Sequence, residues 1–219
     1  MDLIHTADVA KAKAKAKAKQ AKPAPAPKAL YLITEPDEML DGTRLRPGMF
    51  ENPDPKEIRA YEPDDIAYYV LSTNNSRYLE VDRLWPVRTN PSSKLERDDM
   101  WGGWKFKLVE LGAPMMLDAA ATWQALLDAG VRLKPKKTTH PSILNWPAIK
   151  GHVEALRVLV EAGGQAGADD VVMGAAAFGK RETTRLLVEK GFDGTQAVIT
   201  MKRYKNQVAL DILRELGFE

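Results

Sequence analysis

The sequence predicts an α+β chain: a small, loop-rich α+β module, then an all-α run of helical repeats, with an extended N-terminal arm ahead of both. Three observations carry that reading. A thirteen-residue phrase ending in glycine occurs four times after residue 117. Short strand-forming stretches alternate with turn material across residues 29–110, and residues 1–28 are dominated by lysine and alanine. The expected division is therefore 1–28 for a basic low-complexity arm, 29–110 for the module and 111–219 for the repeats.

The phrase occupies residues 118–130, 151–163, 179–191 and 205–217. Its ninth position is always leucine (Leu126, Leu159, Leu187, Leu213), and its eleventh is always acidic (Asp128, Glu161, Glu189, Glu215). The eighth is always apolar (Ala125, Val158, Leu186, Ile212). Within residues 154–163, Ala155, Leu156, Leu159 and Val160 recur at helical spacing, with Glu154, Arg157 and Glu161 around the outside. The closing residues Gly130, Gly163, Gly191 and Gly217 suit the left-handed position that ends a helix. Upstream of the last three phrases lie shorter apolar stretches, residues 143–149, 171–178 and 197–201, each about two turns long if helical. Each unit thus reads as helix, tight turn, helix, loop. Such a unit buries its apolar face only by stacking on its neighbours. The four leucines are the expected repeat core.

The segment SILNWPAIKGH (142–152) lies over the pattern T-P-L-H-x-A-A-x-x-G-H, and DVVMGAAAFGK (170–180) follows the same plan. From residue 114 or so to 219 the chain resembles the ankyrin-repeat family. The spacing of 33 residues between the first two phrases equals the period of that family, whereas the later spacings are 28 and 26. The repeats depart from the pattern in three places. Residues 191–195 are too short for a projecting hairpin finger, Pro147 stands where alanine is preferred, and the first phrase lacks a first helix. The resemblance implies a degenerate, shortened solenoid that works by protein–protein interaction.

The arm carries Lys11, Lys13, Lys15, Lys17, Lys19, Lys22 and Lys28 against two aspartates, a net of +5. The whole chain is +2, which leaves −3 for residues 29–219. Strict Lys-Ala alternation makes no amphipathic helix, and the following Pro-Ala run favours an extended spacer. Such an arm reads either as a solvated tether or as a polycation that lies on nucleic acid or an acidic protein surface. It has no arginine and no aromatic residue, so base-specific readout is not expected.

In the module, residues 29–34, 77–82 and 104–108 read as strands, the last by its alternation of apolar and basic residues. A helix is expected to begin at Glu62–Pro63, with Asp64 and Asp65 at its positive end, and to run to about Leu71 before the polar stretch 72–76. Residues 41–42, 46–48 and 52–55 are turn material. So proline-rich a segment buries little core alone, which predicts docking on the repeats or on a partner.

Chemistry is sparse. The only histidines are His5, His140 and His152, and there is no cysteine. With no clustered carboxylate beside them these residues do not predict a metal site, and no cofactor is expected. His152 is read as part of the turn between two helices. Asp98 and Asp99 beside Trp101 and Trp104 suggest a sugar site less than a surface turn leading into a strand, because hydrolysis needs a second carboxylate at fixed separation. No phosphate loop, nucleophile elbow or HExxH motif occurs, and residues 163–167 follow a helix, so they read as a loop between repeats. Trp123 and Trp146 fall inside the repeats as packing residues.

No stretch has the apolar length of a membrane span, and residues 1–8 carry acidic residues where a secretion signal needs basic ones. A cytoplasmic or virion setting is expected, with no membrane partner. The functional expectation is a non-enzymatic structural protein of a large assembly, such as a virion or other nucleoprotein particle. In it, repeats and basic N-terminal arm contact other protein subunits or nucleic acid. A monomeric ankyrin-type adaptor with one protein partner is the alternative, followed by an enzyme whose site lies in residues 29–110.

Overall fold

The computed structural model describes residues 29–34, 39–40, 43–52, 59–66, 83–89, 95–97, 103–134, 142–165 and 170–219. Within them the chain is α+β, with an antiparallel sheet in the first half and paired helices in the second.

The main sheet has the order β1 (Leu30–Thr34), β5 (Arg83–Thr89), β8 (Leu108–Leu111), β4 (Gly48–Glu51), with β9 (Met115–Met116) also paired to β5. Two small ladders stand apart, β2 (Met39–Leu40) with β3 (Thr43–Arg44), and β6 (Glu96–Arg97) with β7 (Trp104–Lys105). One helical turn, α1 (Pro63–Asp65), precedes β5. The helix expected from Glu62 is described only through Ile66; its continuation, the strand expected at 77–82 and the stop at 72–76 lie outside the described residues.

The sheet is a wall between two cores. Along β1, Leu30 and Leu32 join a cluster with Leu45, Phe50, Trp85 and Phe106. Tyr31, from the opposite face, joins the helical core with Leu84 of β5, and Ile33 packs against that core. A strand buried on both faces reads as a continuous apolar run, as Leu-Tyr-Leu-Ile does. The expected division at residue 110 cuts through this sheet, because β8 runs to Leu111 and β9 ends at Met116.

β5 was not among the expected strands, and its Pro86 is unusual in a strand with neighbours on both sides. Its tolerance is local. Tyr31, opposite Pro86, turns its own N–H and C=O away to Tyr61, at 2.9 and 2.7 Å. On the other side the Pro86 carbonyl accepts the Gly112 N–H at 2.8 Å, where the ladder is interrupted between β8 and β9. The proline ring thus meets a gap in the pairing. The single strand expected at 104–108 is likewise two, β7 and β8, parted at Phe106–Lys107. Asn52 fills the break, its side-chain amide donating to the Phe106 carbonyl at 3.0 Å and its backbone N–H to Lys107 O at 2.8 Å. The expected alternation survives, with Trp104 and Phe106 buried and Lys107 exposed.

Each phrase contains one helix of nine residues: α2 (Ala120–Asp128), α4 (Val153–Glu161), α6 (Arg181–Glu189) and α8 (Gln207–Glu215). The last three are each preceded by a partner helix: α3 (Asn145–Lys150), α5 (Val171–Ala177) and α7 (Thr195–Tyr204). α7 is longer at both ends than the expected 197–201, because its polar first residues and exposed last turn carry no apolar stripe. α3 packs on α5 and α5 on α7, while α2 packs on α4, α4 on α6 and α6 on α8, giving two layers. The layers are stitched across units: Thr183 Oγ1 donates to Ala148 O at 2.8 Å and Asn206 Nδ2 to Ala177 O at 3.2 Å. The next unit thus bonds the Ala177 carbonyl at the end of α5 and adds a second donor to the Ala148 carbonyl near the end of α3, which also accepts the Gly151 N–H at 3.3 Å.

The sheet end is sealed on this stack. Trp123 and Trp146 are fully buried with ring centroids 6.3 Å apart, and the Trp123 indole N–H donates to Leu117 O. Arg132 binds Asp64 of α1 through an ion pair of 3.0 Å and a backbone N–H. Among the described residues no helix is long and apolar enough to cross a membrane.

Candidate interaction surface

The phrase residues singled out from the sequence are structural. Leu126, Leu159, Leu187 and Leu213 are fully buried in the helical core. Each also accepts, through its carbonyl, an N–H from five residues on: Val131, Gly164, Phe192 and Phe218 at 2.9–3.1 Å. Gly130, Gly163, Gly191 and Gly217 sit between, with φ of 88 to 92°. This is the Schellman closure, in which one residue type must enter the left-handed region so that two orphan carbonyls are satisfied. The leucine and the glycine therefore belong to one device: the leucine fills the core and its carbonyl anchors the turn. The arm lysines Lys11, Lys13, Lys15, Lys17, Lys19, Lys22 and Lys28 lie outside the described residues, as do His5, His140, Asp98, Asp99 and Trp101.

A different edge of the stack carries free surface. The tight turns between paired helices stack on one another. The Lys180 side chain lies across Gly151, with Cδ 3.1 Å from where a Cβ there would stand, and Val208 Cγ1 is 3.7 Å from the same point on Gly179. With the Asn206–Ala177 bond, these contacts bring the ends of α5 and α7 and the start of α8 together. Phe178, Tyr204 and Val208 are 56%, 71% and 61% exposed there, and Ile199 of α7 is also exposed. Lys205 closes α7 in the left-handed region at φ 56°, the only non-glycine residue with positive φ among those described. Lys150, Lys180, Lys202, Arg203 and Lys205 along this edge form no ion pair with any described residue. Glu154 and Glu182, at the fourth position of their phrases, are exposed carboxylates near this edge; Glu154 pairs with Arg157 at 3.6 Å, and Arg181 is taken by Glu215.

The opposite edge, where second helices end and first helices begin, is acidic. Glu161 pairs with Lys190 of the next unit at 3.3 Å. Asp170 caps α5 by accepting the Met173 N–H at 2.9 Å. Burial pushes its carboxyl above the ordinary value, two backbone N–H groups oppose that, and Asp193 adds to it. The Thr195 hydroxyl and N–H hold the Asp193 carboxyl down. Among the described residues, none of the exposed large apolar ones belongs to this edge.

Two polar features lie elsewhere. Asp65, its side chain 3% exposed, receives both terminal nitrogens of Arg97 at 2.7 and 3.3 Å. Arg97 stands 5.7 Å from the Trp104 ring centroid, and the Trp104 indole donates to Glu62 at 2.9 Å. Trp104 is thus locked into the module's core and cannot present a face to a sugar. His152, at the N-cap of α4, packs its ring 5.0 Å from Trp146, and its buried Nε2 has no hydrogen-bond partner among the described residues. Burial lowers its pKa, helped by Lys150 and Lys180 and opposed by Asp118. Among the described residues no three His, Cys, Asp or Glu converge as metal ligands would.

Sequence reading missed the exposed apolar group, although one signal was present. Val208 is the fourth residue of its phrase, where the other three have Ala121, Glu154 and Glu182, all exposed. An apolar residue at a solvent position of an otherwise regular repeat marks a surface with a use. No protein-family model and no curated protein matches this sequence.

Proposed function

We propose that the chain is a non-enzymatic interaction protein of a larger assembly, such as a virion or other nucleoprotein particle. In this reading its helical half is a short ankyrin-like solenoid, and its basic arm reaches a neighbouring subunit or nucleic acid. One observation carries the choice of surface. Four of the six exposed large apolar residues among those described, Phe178, Ile199, Tyr204 and Val208, fall in the last two helix pairs. The first pair has no such face: α3 is buried from Asn145 through Ile149, so contacts along the first helices begin only at α5. The other half of the reading rests on composition. Seven lysines in 28 residues, ahead of a body of net −3, add little to folding and much to contact with a polyanion.

The test is solution mass by light scattering, with and without nuclease, for the full chain and for residues 29–219. The full chain is expected to self-associate or to retain nucleic acid at low salt, and removal of the arm to weaken this steeply. The thermal midpoint should be unchanged. A full chain that is monomeric and free of nucleic acid at low ionic strength refutes the assembly reading and leaves the single-partner adaptor.

A further inference from the structure

The geometry points to the tight-turn edge of the last two helix pairs as a docking site for an acidic segment with apolar anchors, carried by a partner protein. This rests on the reading of the chain as an interaction protein and names the partner's chemistry. The centre of the site is Phe178, Tyr204 and Val208, which the Gly179–Val208 approach and the Asn206–Ala177 bond draw to one place. Its rim is the last turn of α7 and its cap: Lys202, Arg203 and Lys205, unpaired among the described residues. An apolar centre in a charged rim is the anatomy of a protein contact, and the sign of the rim sets the sign of the partner.

Other occupants fit less well. The chain's own arm has a net of +5 and is repelled by this rim. A second copy's acidic edge supplies the charge but, among the described residues, no exposed large apolar residue to fill the centre. Single-stranded nucleic acid takes a basic groove with successive stacking platforms. Here one of the three central side chains is the aliphatic Val208, and three of the five edge cations at 150, 180, 202, 203 and 205 lie on or just after one helix end.

The probe is a fluorescein-labelled peptide alternating glutamate with leucine and phenylalanine, followed by anisotropy with the full chain and with residues 29–219. Poly-glutamate of equal length and oligo-dT serve as comparators. With residues 29–219, which lack the polyanion-binding arm, the alternating peptide is expected to bind at least about tenfold more tightly than either comparator. Tyr204→Ser with Val208→Ser should weaken it by about tenfold, the loss expected for a truncated aromatic anchor. Lys202→Glu with Arg203→Glu should also weaken it and reduce its salt dependence, and both double variants should cause the same losses with residues 1–28 present or deleted. Equal binding of poly-glutamate or tighter binding of oligo-dT by residues 29–219 overturns the proposal, as does indifference to both double variants. If the serine pair shifts the thermal midpoint, the exposed charge pair decides. Should the peptide fail while the full chain still self-associates or holds nucleic acid through its arm, the interaction reading stands and this site falls. Failure of both removes both.

Discussion

Truncating the phrase leucines one at a time separates packing from turn closure. Leu159→Ala removes three buried carbons, about 2.4 kcal/mol at roughly 0.8 kcal/mol each. The backbone carbonyl still accepts the Gly164 N–H, at 2.9 Å in the native chain, so the helix end stays closed. The remaining loss is the cavity. α4 lies between α2 and α6, and α6 between α4 and α8, so at Leu159 and Leu187 collapse is resisted from both sides. The expected cost there is about 3–5 kcal/mol. Leu213 is as fully buried but sits in the last helix, with the α6 layer on one side only. There relaxation is easier, and about 2–3 kcal/mol is expected. Urea unfolding followed by circular dichroism measures all three, with unchanged slopes required for the comparison. A loss under about 1 kcal/mol at Leu159, or a larger loss at Leu213 than at both interior sites, refutes the stacked arrangement.

Arg97→Met strands the buried Asp65 carboxylate and should cost about 3 kcal/mol, at the low end for a broken buried pair because Arg97 is partly exposed; adding Asp65→Leu should recover most of that loss in a denaturation cycle, and additive losses would contradict it. Gly164→Ala places a Cβ 2.7 Å from Leu144 Cδ2 and 2.8 Å from the Leu159 carbonyl oxygen, so a loss of about 1–3 kcal/mol is expected; a neutral thermal midpoint would show that this turn yields. His152 has a folded pKa below its ordinary 6.5, so the unfolded chain binds more protons as pH falls past that value: its contribution is complete above about 6.5 and is lost below it. The thermal midpoint of His152→Asn measured from pH 8 to 5 should fall less steeply than that of the parent, and identical slopes would exclude His152 as the source.

The parts legible in the sequence are those where one residue serves two purposes. Leu159 and Gly163 recur with their phrase because core filling and helix closure both fix them, so all four second helices were legible. The sheet was legible only in part. Leu30–Thr34 announces itself, but Arg83–Thr89 hides behind Pro86, whose missing N–H matters only if a neighbour needs it, and none does at the break between β8 and β9. The gap at Phe106–Lys107 is filled by Asn52, more than fifty residues away, a pairing that local pattern cannot express. The expected boundary at 110 falls within β8 for a similar reason: a change of texture in sequence need not be a change of core, and Leu84 and Tyr31 share theirs with Trp123 and Leu126.

That shared core orders the whole molecule. With the sheet on one end of the stack, α2 and α3 give up both sides to burial, and the exposed apolar residues of the helical half gather at the other end. Among the described helices α7 packs on α5 and α8 on α6, and in such a stack coupling runs mainly between neighbours. The α7–α8 pair bears Tyr204 and Val208 at solvent positions and closes α7 on Lys205, where the equivalent turns of the two preceding units use Gly151 and Gly179. Residue identity and local backbone strain thus coincide at α7 and α8. A partner that holds Tyr204 and Val208 would touch α7 and α8 together, so its binding energy would add to the stability of that helix pair.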